Sequence, residues 1–126
     1  MRYHHTDDAP EAIGPYSQAV EIDGWLYTSG QVALDPATKK LVEGDFEAQA
    51  KQVLANLKAV LAAGGCTFQN VVKATVYIQN FADFATLNRL YAEAMGDHRP
   101  ARSTVQVAAL PLAALVEIDF VARIPS

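Results

Sequence analysis

The sequence predicts an α+β domain of two layers, a mixed β-sheet with two helices packed on one face. Three observations lead there. Runs that alternate apolar and polar residues occur early, in the middle and at the end of the chain, two longer runs at helical spacing lie between them, and strand and helix runs interleave. Two helices can cover only one face of a sheet of about five strands, so the other face is left over.

Taken in order, "AVEIDGWLYTSGQV" (residues 19–32) holds two β-prone runs around Asp23-Gly24, and Asp-Gly between apolar segments is a strong hairpin signal. The second run ends at Ser29-Gly30. "LDPATKKLVEG" (34–44) places Pro36 and Gly44 around polar residues and reads as a loop. In "DFEAQAKQVLANLKAVLAAGG" (45–65), Asp45 caps a helix and Gly64-Gly65 ends it. Its apolar stripe is Ala50, Val53, Leu54, Leu57, Val60 and Leu61.

"NVVKATVYIQ" (70–79) alternates, with Val72, Ala74, Val76 and Ile78 on one face and Lys73, Thr75 and Tyr77 on the other. "DFATLNRLYAEAM" (83–95) returns to helical spacing through Phe84, Leu87, Tyr91 and Met95, with Asp83 as its expected cap. Two strands close the chain, "RSTVQVAAL" (102–110) and "LVEIDFVARI" (115–124), separated by Pro111. In the first, Val105 and Val107 oppose Arg102, Thr104 and Gln106; in the second, Val116, Ile118, Phe120 and Ala122 oppose Glu117, Asp119 and Arg123. The uncovered face is therefore expected to carry Thr75, Tyr77, Arg102, Thr104 and Glu117. That mixture is too polar for a core and too aromatic for a solvated surface, so packing against other copies in a closed symmetric assembly is expected.

Bulk composition narrows the function. The 126 residues fit one domain over 1–126, and 51% hydrophobic with 19% charged residues excludes a disordered chain. A formal charge of −4, with ten Lys and Arg thinly spread, gives no basic footprint and argues against nucleic acid as the main partner. Cys66 is the only cysteine, which excludes an intramolecular disulfide and a two-cysteine metal motif and is compatible with a reducing compartment. The N-terminal residues lack the apolar core of a signal peptide, and no run approaches the ~20 apolar residues that cross a bilayer. A cytoplasmic location and no membrane partner are expected.

Arg102 and Glu117 are the residues best suited to chemistry. A permanently charged planar fork matches a carboxylate in two-point contact, so Arg102 suits a small acid. A partly desolvated Glu117 can position a water or move a proton. On adjacent strands the same pair also makes an ordinary structural ion pair, and the residues alone leave both readings open. Tyr16 follows a Gly-Pro turn and either lines a pocket or packs; Ser29 and Gly30 offer a hydroxyl and a close backbone approach or simply turn the chain. Asn88 lies on the second helix, where asparagine is usually a surface residue. His4 and His5 point to opposite sides of an extended segment and cannot readily share a metal. His98 reads as loop, and Cys66, without a basic neighbour, as packing. No phosphate-binding glycine loop, dinucleotide fingerprint or Ser/His/Asp order is present.

"AIGPYSQAV", "TSGQVALDP", "QVLANLKAVLAAGG", "DFATLNRLYAEAMGDHRPARS" and "LVEID" resemble, in order and spacing, the Rid (YjgF) family and within it the RidA-type enamine/imine deaminases. The most specific part is "RPARS" followed by an apolar strand, a proline and "VEI". The resemblance implies a chorismate-mutase-like fold, a homotrimer with sites between subunits, and no cofactor. It also implies hydrolysis of 2-imino acids such as 2-iminobutanoate and 2-iminopropanoate to 2-oxo acids and ammonia. By position, Arg102 matches the arginine that grips the substrate carboxylate and Glu117 the glutamate that handles water and proton. Tyr16 matches the pocket aromatic, Ser29 and Gly30 the lining loop, and Asn88 the helix residue of the site wall. Backbone amides around Ser103 and Thr104 are expected to stabilise developing charge. Thr104 stands where many relatives carry cysteine, and Met95 where an aromatic is common. Two other functions share the carboxylate anchor: a non-catalytic protein that binds small carboxylates, and an RNA-directed endoribonuclease or translation inhibitor, which the acidic balance disfavours.

Overall fold

The computed structural model describes residues 1–126. The chain runs β1 (Arg2–His4), β2 (Ala19–Ile22), β3 (Trp25–Thr28), α1 (Phe46–Ala63), β4 (Val71–Ile78), α2 (Phe84–Met95), β5 (Ala101–Gln106) and β6 (Val116–Arg123). One sheet holds all six strands in the order β1-β2-β3-β6-β4-β5. Every pair is antiparallel except β4 and β5, which run parallel. That pair needs a crossover, and α2 supplies it. Both helices pack on the same face, as the element pattern predicts.

Local chemistry accounts for the elements. Asp23 and Gly24 hold positive φ angles of 52° and 83°, the backbone a two-residue hairpin turn requires, and β2 and β3 pair across it. The Asp45 carboxylate accepts from the Ala48 amide at 3.1 Å and starts α1, a cap worth about 1 kcal/mol. The predicted stripe of α1 is buried in full, against Leu26, Ile118 and Phe120 of the sheet and Leu87 and Leu90 of α2. Each fully buried leucine contributes roughly 1.5–3 kcal/mol. At the end of α1 a side chain on Gly64 would sit 2.5 Å from Leu26 Cδ2, so glycine lets the helix terminus close onto β3.

Four expectations change. Strand β1 is not legible in the alternation, because three residues carry too little pattern; it pairs with β2 through His4 and Ala19 and is tied by a 2.8 Å bond between His4 and Glu21. Val72 is 44% exposed, not on the oily face: the register shifts between Val71 and Lys73, and the bulge puts Val71 in the core instead. Asp83 makes no cap bond; a short 3₁₀ turn over Phe81–Asp83 precedes α2, and Asn80 caps that turn by accepting from the Ala82 amide at 2.8 Å. Strand β5 ends at Gln106, four residues early.

A fifth expectation changes as well: the facing of β5 is reversed. In a parallel pair, residues in register share a face, and Arg102 and Thr104 are in register with the buried Ala74 and Val76. Both therefore point toward the helices. Alternation separates two residue sets but does not say which set meets α2, and at a sheet edge the helix-facing positions need not be oily. Ser103 and Val105 take the open face with Thr75 and Tyr77. Glu117 is in register with Tyr77 and stays on that open face as predicted. The open face also carries Tyr3, Tyr27 and Val105, at 71%, 47% and 42% exposure, with nothing packed on them.

Candidate active site

The candidate residues gather in two clusters on opposite sides of the sheet. On the helix side, Phe84, Asn88 and Tyr91 line up at helical spacing along α2 and face Arg102 at the edge of β5. The guanidinium donates from Nη2 to Asn88 Oδ1 at 2.6 Å. Its carbon lies 4.8 Å from the Tyr91 ring centre and 5.7 Å from that of Phe84. Such cation–π contacts hold a guanidinium without neutralising it. Arg102 has no carboxylate partner, so the structural ion pair with Glu117 does not exist within the chain. Asn88, Tyr91, Arg99 and Arg102 line a recess of about 330 Å³. The strand entering it is fixed from behind by His98, whose Nε2 donates to the Val71 carbonyl at 2.7 Å.

On the open side, Glu117 lies in a cleft of about 460 Å³ with Tyr16, Ser29, Gly30, Ile13 and Leu112. Backbone pairing sets this up. Past β3 the chain runs alongside β6, Gln31 N donating to Ile118 O at 2.9 Å and Ile118 N to Gln31 O at 3.2 Å. Gly30 is thereby pressed against Glu117, and a methyl group on it would meet Glu117 Oε2 at 2.5 Å. Only glycine leaves the carboxylate its place. Ser29 Oγ donates to the Ser17 carbonyl at 2.6 Å, which engages its hydroxyl in joining two lining loops. Tyr16 is half exposed, its hydroxyl accepting from the Ile13 amide at 3.4 Å.

Burial raises the pKa of Glu117 above its ordinary value, and the neighbouring Asp119 on the same face adds to the rise. Asp119 is itself raised by burial, against the opposing effect of the Tyr77 hydroxyl, which donates to it at 3.3 Å. Glu117 thus holds its proton to higher pH than a solvated glutamate. Where the ionised form positions a water, the acid limb of activity falls above the usual glutamate range. Asp119→Asn, by removing the like charge, is expected to move that limb to lower pH in a kcat/KM profile.

Ser103 faces the open side, where Lys73 Nζ donates to its Oγ at 3.0 Å. Thr104 faces the helices, and its Oγ1 is buried with no partner. The two lie on the edge strand, so part of their backbone hydrogen-bonding capacity has no neighbouring strand. His4 pairs with Glu21 and His5 with Asp7, so the adjacent histidines serve separate partners. Cys66 is buried, and burial raises its thiol pKa, in keeping with a packing role.

Several residues that shape the site are not evident from the sequence. Gln18, 2% exposed, binds Thr6 through both amide atoms and donates to the Pro10 carbonyl at 2.7 Å, fixing the N-terminal wall of the cleft. Asn56, fully buried on α1, donates to the carbonyls of Val32 and Leu34 and holds the loop behind Gly30. A buried amide has no pattern of its own; Phe84, Asn88 and Tyr91 do, at i, i+4 and i+7.

These features define a class: a small α+β protein whose sheet carries an arginine without a carboxylate partner in a recess on one side and a carboxyl group of raised pKa in a cleft on the other. The comparisons with known proteins place it further. The family model described as endoribonuclease L-PSP matches residues 6–124. The chain is 52% identical to protein DfrA of Myxococcus xanthus, over 94% of this chain and 92% of that one. It is 50% identical to the 2-iminobutanoate/2-iminopropanoate deaminase of Mus musculus, over 93% and 87%. Among solved structures, a Thermotoga maritima protein described as a candidate endoribonuclease aligns over 100% of this chain and 99% of its own, with TM-score 0.97 and 46% identity. TdcF of E. coli, solved with bound serine, aligns over 98% of each chain, with TM-score 0.92 and 37% identity. The chain belongs to the Rid (YjgF) family, the family of that L-PSP model.

Proposed function

We propose that this protein is an imine deaminase that hydrolyses 2-imino acids, 2-iminobutanoate and 2-iminopropanoate among them, to 2-oxo acids and ammonia. The observation that carries the reading is Arg102: a half-buried guanidinium, aimed into a recess and held by an amide and two rings, with no carboxylate of the chain beside it. A relative named as a 2-iminobutanoate/2-iminopropanoate deaminase at 50% identity supports the reaction, and serine bound to TdcF supports a small amino-acid-like ligand.

Because Arg102 and Glu117 lie on opposite faces, one copy cannot bring them to one substrate, so the site is shared between copies. The uncovered aromatic face supports this assembly, and the homotrimer implied by the family resemblance closes it. Arg102 of one subunit holds the substrate carboxylate and turns the imine carbon toward a water. Glu117 of the next subunit, with Tyr16, Ser29 and Gly30 around it, positions that water. The water oxygen adds to the imine carbon and its proton passes by way of Glu117 to nitrogen; the hydroxyl proton of the tetrahedral adduct then passes to the amine as the C–N bond breaks, releasing ammonia and the 2-oxo acid. Backbone amides near Ser103 and Thr104 offset charge that develops meanwhile. The chemistry needs no cofactor. A cytoplasmic location accords with a lone buried Cys66 and with the absence of any helix long and apolar enough to cross a membrane.

The test couples the protein to a threonine dehydratase that generates 2-iminobutanoate and follows 2-oxobutanoate. Acceleration over the spontaneous rate is expected. No acceleration from a folded, oligomeric sample contradicts the enzyme and leaves carboxylate binding without turnover.

A further inference from the structure

We propose that the Arg102 recess takes a second anionic group through Arg99, so that dicarboxylic 2-oxo and 2-imino acids bind there more tightly than those with neutral side chains. The inference deepens the deaminase reading and rests on it for the reaction, although not for the binding. Charge is the first ground. The recess is lined by Asn88, Tyr91, Ala92, Arg99, Pro100 and Arg102, which brings two permanently charged guanidiniums together without a carboxylate. Neither arginine takes part in any ion pair of the chain, whose formal charge is −4. A single carboxylate offsets one of them and leaves the other unmatched.

Geometry is the second ground. Arg99 is exposed but tethered: its Nη1 donates to the carbonyls of Gly96 at 2.5 Å and His98 at 2.9 Å, and Pro100 follows it. One edge of the guanidinium is thus tethered, and Nη2 and Nε remain for a ligand. The third ground is an unpartnered donor. Tyr91 lines the recess at 7% exposure, and its buried hydroxyl has no hydrogen-bond partner. Both guanidiniums act on it, opposing the burial that raises its pKa. A buried hydroxyl without an acceptor, on a ring stacked against Arg102, is a group that a ligand oxygen would satisfy. The volume, about 330 Å³, is at the small end of ligand pockets, which run roughly from 300 to 1,000 Å³, and suits a short diacid.

The experiment is calorimetric titration of the assembled protein with 2-oxoglutarate and with 2-oxobutanoate, for the native chain and for Arg99→Gln. About tenfold tighter binding of 2-oxoglutarate by the native protein is expected, with the ratio falling to near one in Arg99→Gln. A native ratio at or below one, a ratio that Arg99→Gln leaves unchanged, or no binding of either ligand at millimolar concentration overturns the proposal. The two readings fail separately. Dicarboxylate preference without turnover of 2-iminobutanoate keeps the second subsite and removes the deaminase; turnover without dicarboxylate preference does the reverse.

Discussion

Arg102→Ala is expected to lower kcat/KM for 2-iminobutanoate by about 100-fold or more, because orientation of the imine toward water is lost with the anchor. The residual pocket has no substitute at that place: Asn88 offers one amide and Tyr91 and Phe84 offer ring faces. Arg102→Lys keeps the charge but loses the planar fork and its stacking, so an intermediate loss of roughly tenfold is expected, mostly in KM. The fold is expected to survive both changes. Arg102 sits at the edge strand and outside the apolar core, and what it contributes to packing is the pair of cation–π contacts to α2. Circular dichroism and thermal unfolding distinguish an intact but inactive variant from one that has come apart. An active Arg102→Ala protein contradicts the assignment of the anchor.

Glu117→Gln is expected to lower kcat by about 10²–10³, with KM little changed, since the substitution preserves shape and removes the carboxylate charge and its titratable proton. The amide fits the space left by Gly30, so the backbone pairing of Gln31 with Ile118 has no reason to shift. Its pH profile is equally informative. The native acid limb is expected to be set by Glu117, whose pKa burial and Asp119 raise, and to disappear in the variant. A profile that keeps the same limb in Glu117→Gln assigns the titration to another group.

Much of this architecture is legible in the sequence because it is local. The Asp45 cap, the α1 stripe, the Asp-Gly turn and the alternation of β6 each follow from spacing within a single element, and each is found as expected. The site is legible only in part, and the reason is physical. Alternation along β5 divides Arg102 and Thr104 from Ser103 and Val105, but the face each set takes depends on the parallel pairing to β4, a contact across the chain. The same limit hides the bulge at Val72, which exchanges its place in the core with Val71. Gln18 and Asn56 leave no trace in a pattern, since each is buried by virtue of the loops it holds. Reversing β5 also alters the functional argument. With Arg102 and Glu117 on one face, a single subunit would be sufficient for the proposed reaction; with the two on opposite faces, that reaction calls for a second copy.

That requirement is open to direct measurement. Arg102→Ala and Glu117→Gln proteins, each inactive alone, are mixed in equal amounts, allowed to exchange subunits under mild denaturant, returned to buffer and assayed for 2-iminobutanoate hydrolysis. Recovery to about a quarter of native activity is expected, the chance that a random neighbouring pair supplies one intact Arg102 and one intact Glu117. Subunit exchange confirmed by mass spectrometry with no recovery of activity would contradict a site shared between copies.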